Sequence, residues 1–272
     1  MTAPLLERQR DDIRYLCLNR VERRNALSAD LVHALEAAMA DAMADPATSI
    51  VVIRGAGPTF CSGADLGHLH ALAVHGKDPM PYLTAIGQCF DHIEQSPKPV
   101  VAAIHGHAVA GGLELALACD VIVAEAGTLV GDGHVRRGLL PAGGSSVRLP
   151  RKVGAALARW MILTGELLTA ETLHQAGLIH AIARSGELDG VVSAVLPNLR
   201  GADVTAQRNS KVLLSQQARL DDAAKLDLER AHFAHHWHQN DLGAHLAGFA
   251  ADRSCSRDGR SPWAQPDTPA AS

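Results

Sequence analysis

Pro99-Val-Val-Ala-Ala-Ile-His-Gly-His-Ala-Val-Ala-Gly-Gly-Leu-Glu-Leu-Ala-Leu-Ala-Cys-Asp120 decides how the rest of the chain is read. Residues 99–104 form a short apolar run rich in Val, which suits a fully buried strand. Gly111 and Gly112 then open a helix. A helix start carries unpaired backbone N–H groups and a partial positive charge. Glycine at such a start lets a ligand oxygen come close to the backbone. The turn therefore suits a developing oxyanion. Glu114, two or three residues on, is near enough to move a proton on the same ligand. A glycine turn that only packs a helix on a sheet fits these residues as well.

Other glycine signatures do not fit. Gly106 and Gly111 have the spacing of a phosphate loop, but Gly112 and Leu113 stand where that motif needs Lys and then Ser or Thr. No GxGxxG follows a strand, and Gly143-Gly-Ser-Ser-Val147 lacks the closing glycine of a GxSxG elbow. The chain has 272 residues, 47% of them hydrophobic and 3% aromatic. Its core must then be built of Ala, Leu and Val, which favours close-packed helices over an all-β sandwich. A net charge of −4 supplies no basic stripe, so no nucleic-acid partner is expected. No apolar run reaches membrane-spanning length and the first residues are polar, so neither a membrane partner nor a signal peptide is expected. Cys17, Cys61, Cys89, Cys119 and Cys255 are odd in number and without paired spacing, which points to reduced thiols and a cytoplasmic setting. His232 and His236 would share a helix face, a spacing that can hold a metal. No HExxH surrounds them, and a solvated or interface face is preferred, so no metal is expected.

A coarse pass alternates strands and helices. A strand is expected over 12–19, then a helix capped by Ser28 and running to about Ala44. Strands follow near 49–54, 99–104, 120–124 and 128–131, with helices between. Gly67, Gly76, Pro79 and Pro81 make 67–81 a mobile loop over a substrate. Helices are expected over 153–163, 170–176 and 188–199, and from 204 to about 250. Residues 254–272, rich in Ser, Pro, Asp and Ala, read as a disordered tail.

Several ordered pieces resemble the crotonase, or enoyl-CoA hydratase/isomerase, superfamily. They are Leu18-Asn-Arg20 with Asn25-Ala-Leu27, Phe60-Cys-Ser-Gly-Ala-Asp65, and the opening stretch itself. Gly138-Leu-Leu-Pro141, Arg148-Leu149 and Leu163-Thr-Gly165 follow, then the segment Asp241 to Arg253. The resemblance covers about residues 10–253. It implies an α/β fold, a ββα spiral core with a helical C-terminal segment: a catalytic core over 1–200, an oligomerisation segment over 201–253 and the tail beyond. It also implies an acyl-CoA thioester substrate, no cofactor beyond the CoA carried by that substrate, and a homotrimer or dimer of trimers. Carried over by position, the oxyanion donors fall on the N–H groups of Ala64 and Gly111. Ser62, Gly63, Asp65, Leu66 and Gly112 fall where the family lines its substrate. Arg20, Arg23 and Arg24 could meet CoA phosphates or simply form a solvated loop.

The catalytic side chains depart from the family pattern. The hydratases use two glutamates across a water. The first matches Glu114, but the second position holds His134. Ala142 stands where some isomerases place an acid, and Asp132 lies two residues from the matched position. Glu114 is expected as acid/base and His134 as its possible partner. Three chemistries stay open: hydration or dehydration, double-bond isomerisation, and hydrolytic C–C cleavage of a β-keto acyl chain. A non-catalytic acyl-CoA-binding homologue is the alternative of a different class.

Overall fold

The computed structural model describes residues 3–217, 220–240 and 242. Its strands are β1 (Leu5–Arg10), β2 (Ile13–Leu18), β3 (Ile50–Gly55), β4 (Val100–Ile104), β5 (His107–Val109), β6 (Val121–Glu125), β7 (Leu129–Gly131), β8 (Leu168–Thr169) and β9 (Ala181–Ala183). The helices are α1 (Ala29–Ala44), α2 (Leu66–Val74), α3 (Met80–Gln95), α4 (Gly111–Ala118), α5 (Ser145–Val153), α6 (Ala155–Thr164), α7 (Ala170–Gln175), α8 (Leu188–Arg200), α9 (Val204–Gln217) and α10 (Asp222–Gln239).

The chain divides into two compact units, Met1–Ala218 and Arg219–Ser272. In the first, six strands form one sheet in the order β1-β2-β3-β4-β6-β9, parallel except for the β1–β2 hairpin. A second sheet runs β5-β7-β8. Each turn of the spiral places one strand in the large sheet, the next extended segment beside it, and then a helix. Thus β4 leads to β5 and α4, while β3 leads to Cys61, which bridges Ala108 of β5 in parallel. Likewise β2 leads to Leu27, which bridges Ala64, and then to α1. This is the ββα spiral core implied by the resemblance.

Burial explains why the strands read as continuous apolar runs. Leu16, Ile53, Ala102 and Ile122 face a large core shared with α1, α3 and α4. Their neighbours Val52, Val101 and Val123 face a second core closed by Leu188, Val192 and Leu196 of α8. Both faces of the sheet are covered, so no polar alternation survives.

Two readings are corrected. Residues 67–81 are not one loop but two helices joined by a short link over 75–79: Asp65 caps α2 by accepting from the N–H groups of Gly67 and His68, and Pro81 sits in the first turn of α3. The glycines and prolines there punctuate helices, a role that composition alone does not separate from a loop. β1 and α5 were not expected. Within the first compact unit α9 packs on α3. The matched segment 241–253 and the tail at 254–272 lie, apart from residue 242, outside the described residues.

Lys211 of α9 shows how that helix is anchored. Its Nζ donates to Ser96 Oγ at 2.9 Å, to the Lys98 carbonyl at 2.8 Å and to Asp120 Oδ2 at 2.6 Å. Replacing Lys211 by Met should cost about 1–3 kcal/mol, because buried acceptors lose a charged donor. Urea denaturation measures this, and an unchanged midpoint would show that α9 is held by other contacts.

Candidate active site

The site forms where two loops meet. Gly63, at φ +93°, lies so close to the start of α4 that a β-carbon on it would come within 2.9 Å of the Gly111 nitrogen. One on Gly111 would come within 3.3 Å of the Ala64 nitrogen. The N–H groups of Ala64 and Gly111 are therefore neighbours, and among the described residues neither donates to a protein acceptor. Ala110 turns the second of them, at φ 53° and ψ −119°. An alanine in this sparsely populated region stores about 1–3 kcal/mol. Its own N–H, bonded to the Gly131 carbonyl at 3.0 Å, helps hold it there.

The first loop is pinned from outside. Tyr82 of α3 accepts from the Asp65 N–H at 2.9 Å and donates to the Leu27 carbonyl. Leu27 N–H in turn reaches the Gly63 carbonyl at 2.8 Å. Arg20 pairs with Asp65 at 3.0 Å. Asp65 and Arg20 thus hold the loop, and Asp65 also lines, with Ser62, Leu66, Arg23 and Arg24, a cavity of about 450 Å³. Gly112 lines neither this cavity nor the smaller one below. A β-carbon there would meet the Cys61 carbonyl oxygen at 2.1 Å. Its part is to let α4 approach that loop.

A second, mostly apolar cavity of about 230 Å³ adjoins the first through Ala64, His134 and Leu139. Glu114, 2% exposed, and Gly111 open onto it. Glu114 Oε1 accepts from the N–H groups of Gly143 at 2.9 Å and Ser145 at 3.0 Å. Among the described residues Oε2 has no hydrogen-bonded protein partner. Burial is the largest influence on this carboxyl and pushes its pKa up. The Ser145 and Gly143 N–H groups and the nearby His134 only partly offset that rise, and Asp132 adds to it.

Asp132 joins the cluster, although it is off the matched position. It is fully buried, and His134 Nδ1 lies 3.0 Å from its Oδ1. The N–H is not aligned for a directed hydrogen bond, so charge at short range holds the pair. The His134 main-chain N–H also approaches Asp132 Oδ1, at 3.4 Å. Burial acts to lower the His134 pKa, but the Asp132 carboxylate and then the Glu114 charge outweigh it, and the net shift is upward. Burial acts to raise Asp132, yet His134 and the Ser145 hydroxyl hold it below the ordinary carboxylate range. The sequence signal for Asp132 was local: an Asp whose side chain reaches the N–H two residues on is a common turn. Tyr82 had no such signal, because its partners lie 17 and 55 residues away. Among the described residues no three His, Cys, Asp or Glu side chains converge on a metal position. Among the described residues no helix is long and apolar enough to cross a membrane.

The raised Glu114 pKa has a stability consequence. The folded chain favours the neutral acid, so ionisation costs stability as pH rises through the folded value, and the cost is absent below the unfolded one. Glu114→Gln keeps a carbonyl for the two N–H groups and removes the charge. It should raise Tm at pH 7 and lose that advantage below about pH 4. Equal melting of the two proteins at pH 7 would refute burial as the dominant influence.

Residues 8–256 match the family model described as enoyl-CoA hydratase/isomerase. The chain is 32% identical over 234 residues to the mitochondrial methylglutaconyl-CoA hydratase of Mus musculus, covering 84% of this chain and 74% of that protein. It is 31% identical over 239 residues to a probable enoyl-CoA hydratase of Rhizobium meliloti, covering 88% and 91%. The crystal structure of an enoyl-CoA hydratase from Polaromonas sp. JS666 superposes with a TM-score of 0.86 at 30% identity, covering 91% of this chain and 97% of that one.

Proposed function

Because the chain belongs to the enoyl-CoA hydratase/isomerase family, we propose that it adds or removes water across the α,β double bond of an acyl-CoA thioester. Glu114 and His134 are its proton-transfer pair. The observation that carries this reading is the pairing of Glu114 with an Asp132-bound His134 at one cavity, beside the Ala64 and Gly111 N–H groups. The thioester oxygen sits between those two donors and takes up charge as the enolate forms. Each such donor contributes about 3 kcal/mol to the transition state. Glu114 Oε2 takes a proton from water as the water oxygen bonds the β-carbon. The His134 imidazolium then gives a proton to the α-carbon, and the enolate pair collapses into that C–H bond. Dehydration is the reverse. Arg23, Arg24 and Arg137 around the larger cavity support binding of the CoA phosphates there. The reaction needs no cofactor besides the CoA carried by the substrate. Among the described residues Cys17, Cys61, Cys89 and Cys119 are free thiols, which supports a reducing, cytoplasmic setting.

One observation favours a second reading. With Oε1 held by two N–H groups, Oε2 alone can carry a proton between two carbons, which suffices for double-bond isomerisation. Turnover of 2-enoyl, 3-enoyl and cyclic β-keto thioesters in H₂¹⁸O and in D₂O separates the chemistries. One ¹⁸O gained with the carbon skeleton intact supports hydration. A shifted double bond without added oxygen selects the isomerase. A ring-opened carboxylate carrying ¹⁸O selects C–C hydrolysis. No turnover despite tight CoA binding favours a non-catalytic homologue. Glu114→Gln should cut kcat roughly a thousandfold with CoA affinity nearly unchanged, and full activity would remove Glu114 from the reaction.

Glu114 ionised and His134 protonated coexist only between their two pKa values, so the rate should be bell-shaped in pH. Asp132→Asn removes the charge that raises His134, so the basic limb should move to lower pH. An unmoved limb would assign it to another group.

The family's trimer is also part of the proposal. Leu226, Phe233 and Trp237 lie on one face of α10 and are 52%, 62% and 47% exposed, which supports a subunit contact there. Sedimentation equilibrium at micromolar concentration should give a trimeric or hexameric mass, and a monomer would overturn this.

A further inference from the structure

We infer that Arg148 is a positioning residue for Glu114, acting through the backbone of the Gly143-Gly144 turn. This rests on the reading of Glu114 as the acid/base. Three successive peptide planes matter. Glu114 Oε1 receives the N–H of Gly143 from the first and the N–H of Ser145 from the third. The plane between them carries the Gly143 carbonyl, which accepts from Arg148 Nη1 at 2.7 Å. Two adjacent glycines are the most conformationally free pair a chain can offer, and without a fixed point both donors could turn away. Arg148 supplies that point from inside the protein, at 6% exposure. Its Nε and Nη2 reach Glu94 Oε2 at 3.0 and 2.9 Å, and Nη2 also reaches Asp91. The guanidinium occupies the space left by Gly144, which sits at φ +109°; a β-carbon there would lie 2.1 Å from Nη1.

Geometry, not charge, transmits the effect. Glu94 and Asp91 together outweigh the single Arg148 charge, and Arg148 is not among the groups that shift Glu114. Arg148 lines neither cavity, so it touches no substrate. Its hold keeps two N–H groups on Glu114 Oε1 and leaves Oε2 toward the cavity. Both N–H groups lower the carboxyl's proton affinity, so losing them should raise it.

The test is the pH profile of kcat for the parent, Arg148→Lys and Glu94→Gln, with Glu114→Gln as reference. Arg148→Lys keeps the charge and loses the fork. It should lower kcat about tenfold at neutral pH, move the acid limb up by about half a unit or more, and leave KM within about twofold. Glu94→Gln, a milder change on a half-exposed side chain, should move the limb the same way by less. Loss of a carboxylate would by charge alone move it down, so the sign separates geometry from electrostatics. A limb that superposes on the parent's in both variants, whatever the height of the profile, overturns the inference and leaves Arg148 a structural residue. If Arg148→Lys does not fold, Glu94→Gln decides by the same criterion. Turnover surviving in Glu114→Gln would instead overturn the acid/base reading, a separate failure.

Discussion

No β-carbon fits between the loop at 61–65 and the start of α4, and the rest of the site depends on that closeness. The Cys61 carbonyl presses on Gly112, and Gly63 presses on Gly111. The parallel bridge from Cys61 to Ala108 extends the contact into the small sheet. Contact at this range brings two backbone N–H groups side by side with no side chain to spare. It also fixes the direction of α4, and so the place of Glu114 in its first turn. The strained Ala110 belongs to the same constraint. A cost of about 1–3 kcal/mol there is tolerable because the spiral's two cores bury both faces of a six-stranded sheet.

Charge in the site is set by competition between burial and neighbours, and the two titrating groups resolve it differently. For Glu114 burial wins, because the N–H groups and His134 only partly offset it. For His134 the neighbours win, because a fully buried carboxylate stands 3.0 Å away. Both shifts are upward. For the acid this favours the neutral form, and for the imidazole the charged one. In the proposed hydration Glu114 would act in its ionised form, as a base whose proton affinity burial raises, opposite a His134 imidazolium as donor. His134 at the position of a family glutamate is then a change of charge type, supported by a carboxylate that the usual pattern does not mark.

The scaffold around these groups is backbone more than side chain. Tyr82, Arg20 and Asp65 spend their polar atoms on holding a loop. Arg148 and the two acids beside it do the same for the turn at 143–145. Short of proline, no substitution removes a main-chain N–H, so the side chains that orient these donors are where this site can be tuned.

Residues near one another in sequence determined much of this protein. The buried runs at 49–54 and 99–104, the Ser28 cap and the glycines before Glu114 were legible because strand burial, capping and helix starts are local physics. Ordered motifs spread over most of the chain carried the family and, with it, the spiral and the placing of Ala64, Gly111, Glu114 and His134. Tertiary structure alone decided the rest. Whether Gly67, Gly76 and Pro81 mark a loop or the ends of two helices depends on a cap and on what the helices pack against. The tight packing at Gly112 comes from the Cys61 carbonyl, which lies beside it from 51 positions earlier in the chain. Asp132 needed its neighbour's ring in place, and Arg148 needed α3 at its back. Each of these roles is set by a distance between residues far apart in sequence, and such a distance exists only once the chain has closed on itself.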